Sequence, residues 1–64
     1  MEQEPIMQYF KYDHLPTALQ EVSRQFSVVA HWVIDNLPRC PERTVALRKL
    51  LEGKDAAVRA ALTT

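Results

Sequence analysis

Sixty-four residues make one small domain, and eight basic side chains balance eight acidic ones, which argues against a general nucleic-acid coat protein, where one sign dominates. Cys40 is the only cysteine and no Cys/His cluster accompanies it, so an internal disulfide is excluded and no metal site is predicted. A chain this short gains only about 3–5 kcal/mol from its own core, which leaves self-association as the way to bury enough surface.

The N-terminal "MEQEPIMQ" has neither a basic n-region nor an apolar h-region, so no secretion signal is predicted. No apolar run approaches the length of a membrane span, and the expected setting is soluble and intracellular. Residues 1–16 contain Pro5 and Pro16 and read as an extended arm that carries "YFKYDH". "TALQ" then has the pattern of a capping box, with Thr17 as N-cap and Gln20 three residues on. Leu19, Val22, Phe26, Val29 and Val33 follow at spacings of three and four, an apolar stripe that predicts a first helix over 17–36. "LPRC", residues 37–40, makes the turn, and Pro41 suits the first position of a second helix over 41–62. Leu47, Leu50, Leu51, Val58, Ala61 and Leu62 supply its stripe, while Gly53, the only glycine, weakens its middle. The expected fold is all-α: an antiparallel two-helix hairpin with an N-terminal arm.

A helical wheel at about 100° per residue sets Arg24, Val28 and Trp32 on the side of the first helix away from the Leu19/Phe26 stripe. On the second helix Ala46, Gly53, Ala57 and Ala60 form a seam of small side chains. A second face on each helix predicts a homo-oligomer. The competing reading has Trp32 covering the edge of the hairpin beneath the arm.

No phosphate-binding glycine loop, CxxC or HExxH is present. His14 and His31 lack a local nucleophile apart from Ser27, one turn before His31. Cys40, at the start of the second helix, has no further support as a reactive thiol. Catalysis is not expected, and neither is a cofactor.

Three features are suited to ligand binding. In "RCPERT", Arg39, Arg43 and Thr44 border a helix start whose free N–H groups favour anions. Arg43 falls toward the apolar side, where an unpaired guanidinium is costly; Glu42, Asp35 or a carboxylate of a neighbouring chain would satisfy it. In "YFKY", Tyr9, Phe10 and Tyr12 are suited to stacking on a flat ring with Lys11 near a phosphate, or to clasping the open side of the hairpin. Lys54 interrupts the leucine stripe of the second helix, where it either snorkels or meets a buried anion.

"YDHLPTALQEVSRQF" with "LPRCPERTVALRKLLEGKDAAVRAAL" resembles the helical-hairpin domain of phage anti-CBASS sponge proteins, a domain shared with phage anti-Thoeris sponges. The likeness covers residues 9–62 and is most specific in the tyrosine-containing "PT" entry, the "PERT-ALRKL" helix start and the alanine-rich C-terminal helix. The closing "DAAVRAAL" departs from the family pattern. The resemblance implies a non-hydrolytic homohexamer in the cytoplasm of an infected bacterium. It would sequester cyclic oligonucleotides such as cyclic GMP–AMP and so withhold them from CBASS effectors. By the same resemblance, Tyr9 or Tyr12 stacks on a base and Arg24 pairs with phosphate in a cyclic dinucleotide pocket. Arg43 and Thr44 correspond to a second pocket type, for cyclic trinucleotides. No DNA or RNA polymer and no membrane is implied as a partner.

Two rival readings follow from the residues. One is a small oligomeric protein–protein interaction module that uses Trp32 and the alanine seam and has no nucleotide ligand. The other, a helix-turn-helix DNA binder, is disfavoured by the neutral charge and by two long helices in place of a compact three-helix unit.

Overall fold

The computed structural model describes residues 4–63; positions 1–3 of the expected arm lie outside the described residues. A 3₁₀ helix, Pro5–Phe10, precedes two long helices, α1 (Thr17–Asn36) and α2 (Pro41–Ala61), which pack against each other. No strand occurs among the described residues.

The expectation of an extended arm is corrected. Pro5 occupies the first turn of the 3₁₀ helix, and the Met7 N–H donates to the Glu4 carbonyl at 3.0 Å. Three residues per turn place Met7 and Phe10 on one edge, and both are buried in the core with Ala30, Val33 and Leu47. Winding the arm therefore turns two separated side chains into one apolar edge that the helices can cover. The clasp reading of "YFKY" holds for Phe10, which is completely buried.

The capping box is also corrected. Pro16 stands at the N-cap of α1 and no side chain caps the helix; the Leu19 and Gln20 N–H groups donate to the Pro16 carbonyl instead, at 2.9 and 3.0 Å. Thr17 is already helical, so its hydroxyl is one residue too late to serve. Gln20 turns back on the preceding turn, where its Nε2 donates to the Leu15 carbonyl at 2.7 Å and the Asp13 carbonyl at 3.3 Å.

The buried face of α1 is Ser23, Ser27, Ala30 and Val33, rotated from the expected stripe. Val29 is exposed and Phe26 only half-buried. Ala30 on this face packs in one core with Met7 and Phe10 of the arm, and Ser27 lies beside them; small side chains there allow close approach.

Pro41 opens α2 as expected, and Leu47 is its fully buried anchor. Leu50 and Leu51 pack against the core, whereas Leu62 is 65% exposed. The seam of small residues needs correction at Gly53. An added Cβ there would lie 3.4 Å from Phe26 Cε1, so the glycine faces α1 of the same chain and leaves room for an aromatic ring. The radius of gyration is 12.1 Å, against about 10.7 Å for a compact chain of this length. A long, thin body has little interior, and Val28, Val29, Trp32, Leu37 and Val45 remain exposed.

Candidate functional site

An open groove of about 830 Å³ lies between the arm and α1. From the arm come Met7, Phe10, Lys11, Tyr12 and Asp13; from α1 come Ser27, Val28, His31, Trp32, Asp35 and Asn36. The 3₁₀ helix seats the arm side by burying Met7 and Phe10, which leaves Lys11 and Tyr12 to emerge where the chain turns extended at Lys11. Helical geometry supplies the other side. Arg24, Val28, His31 and Asp35 fall within about 60° of one another on the α1 wheel, with Trp32 beside them.

The residues expected to bind a dinucleotide separate. Tyr12 is half-buried in the groove wall, whereas Tyr9 is exposed and is not among the groove residues. The structure thus distinguishes two tyrosines that the sequence leaves equivalent. Arg24 lies on the groove face of α1 but outside the groove itself. Its Nε and Nη2 donate to the two carboxylate oxygens of Glu21 at 3.2 and 2.8 Å, and Gln25 Nε2 donates to the same carboxylate at 2.9 Å. The Arg24 hydrogen bond and charge hold the Glu21 carboxyl below its ordinary value of 4.5. Glu21 in turn raises the Arg24 guanidinium, and the Tyr12 phenol adds a weaker electrostatic contribution of the same sign. Both members of the pair are solvent-exposed, so the pair is readily exchanged for another anion.

Arg43 and Thr44 lie elsewhere. Arg43 is 9% exposed, and its Nη2 donates to Glu4 Oε1 at 2.5 Å. Its Nη1 donates to the Ile34 and Leu37 carbonyls at 3.2 and 3.0 Å. The guanidinium therefore closes the C-terminal end of α1, where carbonyls lack helical partners, and ties the arm to α2. A carboxylate partner was expected, but it is Glu4 and not Glu42 or Asp35. The Thr44 hydroxyl donates to the Cys40 carbonyl at 3.5 Å. Lys54 Nζ donates to the Tyr9 carbonyl and lies 3.9 Å from Asp55, so this lysine holds the arm from its other end. Buried atoms without a hydrogen-bond partner among the described residues are Ser23 Oγ and Arg43 Nε.

Ser27 and His31 do not form a nucleophile–base pair. His31 Nδ1 lies 2.8 Å from the Ser27 carbonyl and 3.4 Å from Ser27 Oγ. A carbonyl oxygen only accepts, so Nδ1 carries the proton and has no lone pair to offer the hydroxyl. Among the described residues no group of three or more His, Cys, Asp or Glu side chains converges to hold a metal. Among the described residues no helix is long and apolar enough to cross a membrane.

The sequence places Val28 and Trp32 on one face with Arg24, and of its two readings of that face the one that sets Trp32 by the arm agrees with the groove, which both line. Glu4 left no local signal, because its partner is 39 residues away. No family model, curated protein or solved structure matches the chain.

Proposed function

We propose that the chain is a non-catalytic sponge for cyclic oligonucleotides, an immune-evasion protein of a phage that acts in the cytoplasm of the infected bacterium. The groove between the arm and α1 is its dinucleotide site. The observation that carries the reading is the groove's volume of about 830 Å³ together with Tyr12 and Trp32 on its opposite sides. That volume lies within the usual range for small-molecule pockets, and two aromatic faces suit the flat bases of a cyclic dinucleotide. Tyr12 is the stacking tyrosine in this reading, and Arg24 takes a phosphate by exchanging it for Glu21, with Lys11 close by. The resemblance of residues 9–62 to the anti-CBASS sponges supplies the ligand class. In the full reading the two helices form an antiparallel hairpin that assembles as a homohexamer. The second pocket type, at Arg43 and Thr44, would require Arg43 to exchange Glu4 for phosphate.

Calorimetric titration with cyclic GMP–AMP, followed by heat denaturation and analysis of the released nucleotide, tests the function. Tight binding with intact nucleotide recovered is the expected result. Absence of heat with cyclic di- and trinucleotides would overturn it. A second reading, an oligomeric interaction module, is favoured by the 57% exposure of both Val28 and Trp32. It predicts no nucleotide ligand, and binding governed by apolar residues.

A further inference from the structure

We infer that Asp35 reads a guanine base: its carboxylate accepts the two adjacent N–H donors of a guanine stacked against Trp32. The inference rests on the groove's being a nucleotide site, and it concerns which base that site prefers.

The charges of the groove divide the ligand. Asp13 and Asp35 contribute carboxylates, whereas Lys11 is the one lysine or arginine along the groove. Asp13 lies two residues from Lys11, and its carbonyl accepts from Gln20, one turn before Arg24, so a phosphate is drawn toward Lys11 and Arg24 and away from Asp35, the carboxylate that stands near the other end of α1. Along α1, Arg24 and Asp35 are separated by about 16 Å of helical rise, so the phosphate end and the acidic end of the site are far apart. The acidic end, where Trp32 stands one turn from Asp35, must therefore receive a part of the ligand that donates hydrogen bonds.

Asp35 is free to accept them. Among the described residues it makes no ion pair and no side-chain hydrogen bond. It also stands in the last turn of α1, where the partial negative charge of the helix end disfavours a carboxylate. Neither packing nor helix electrostatics accounts for an acid at this position. Its neighbour Asn36 has already committed its Nδ2 to the Trp32 carbonyl at 2.9 Å, which leaves the amide oxygen as a further acceptor.

Guanine is the base that fits such a wall. Its N1–H and exocyclic amino group are adjacent donors, matched to the two oxygens of one carboxylate in charge-assisted bonds. Adenine sets an acceptor, N1, beside its amino group, and that lone pair would face the carboxylate. Uracil and cytosine likewise lack two adjacent donors.

Cyclic di-GMP and cyclic di-AMP share one phosphodiester ring and differ only in their bases, so the pair isolates this contact. Each is titrated into the full chain and into Asp35→Ala and Asp35→Asn, with melting curves confirming that each variant is folded. The expected result is a preference for cyclic di-GMP of about tenfold or more in the parent chain. That preference should disappear in Asp35→Ala and shift toward cyclic di-AMP in Asp35→Asn, because an amide matches adenine's donor–acceptor pair. An unchanged preference in Asp35→Ala, or a parent preference for cyclic di-AMP, would overturn the inference and leave the groove as a nucleotide site. Failure of both ligands to bind the parent chain would overturn the nucleotide reading and this inference together.

Discussion

The carboxylate of Glu4 and the guanidinium of Arg43 meet at 2.5 Å, each only 9% exposed, across 39 residues of chain. This pair holds the arm against α2, and the arm in turn forms one side of the groove. Removing one partner of a buried pair leaves an uncompensated charge, at about 3 kcal/mol for a site that cannot relax. Glu4→Ala should lower stability toward that amount in urea denaturation and release the arm. Amide exchange in Pro5–Phe10 should then accelerate more than exchange within α2. Uniform acceleration across all elements would show that the pair supports the whole fold and not the arm in particular.

Arg24 and Glu21 form an exposed pair, so their disruption should leave the fold intact. Glu21's carboxyl is held below 4.5 by Arg24. A depressed carboxyl contributes stability above its unfolded value, and that contribution is lost as the pH falls through the lower folded value. An NMR titration should therefore place the Glu21 midpoint below 4.5 and return it toward the ordinary value in Arg24→Ala.

The same pair tests the phosphate assignment. Arg24→Ala should lose cyclic GMP–AMP binding with an unchanged melting temperature. Glu21→Gln should strengthen binding severalfold at neutral pH, since Arg24 no longer has a competing carboxylate. Retained affinity in Arg24→Ala would remove this arginine from the site.

Gly53 sits inside α2 with its open side toward Phe26 at 3.4 Å. That distance is ordinary van der Waals contact for a methyl group. Gly53→Ala should therefore stabilise the chain by about 0.5–1 kcal/mol through helix propensity. A larger side chain, as in Gly53→Leu, has no room beside the ring and should destabilise it. Loss of stability in the alanine variant would mean that α1 and α2 approach more closely there.

Trp32 is the only tryptophan and is 57% exposed, so its fluorescence reports directly on the groove. Emission from the free chain should be water-like, and cyclic GMP–AMP should quench and blue-shift it. Trp32→Ala should abolish binding yet change stability by no more than about 0.5 kcal/mol, as expected for a surface substitution. A large loss of stability would instead place the indole in a subunit joint.

Much of the architecture was legible locally. Apolar residues three and four apart marked both helices, and Pro38 and Pro41 marked the break between them, because helical periodicity and proline sterics act within a few residues. The groove was legible only in half. Arg24, Val28 and Trp32 could be placed on one face of α1, but which face the arm would cover could not be read from apolar count alone. Ser23 and Ser27 are polar by composition, yet both are buried, which a stripe of apolar residues does not foretell.

By itself the sequence determined two long helices, their short connection, an uncharged balance and the need of Arg43 for a carboxylate, all of which follow from short-range geometry or from the cost of burying charge. Only the tertiary structure decided that Glu4 is that carboxylate, that the arm winds into a 3₁₀ helix, and that Tyr12 and not Tyr9 lines a groove with Trp32. These are pairings between segments distant in the chain. They are chosen by which side chains fit together once the helices pack, and nothing in the local spacing of residues encodes that fit.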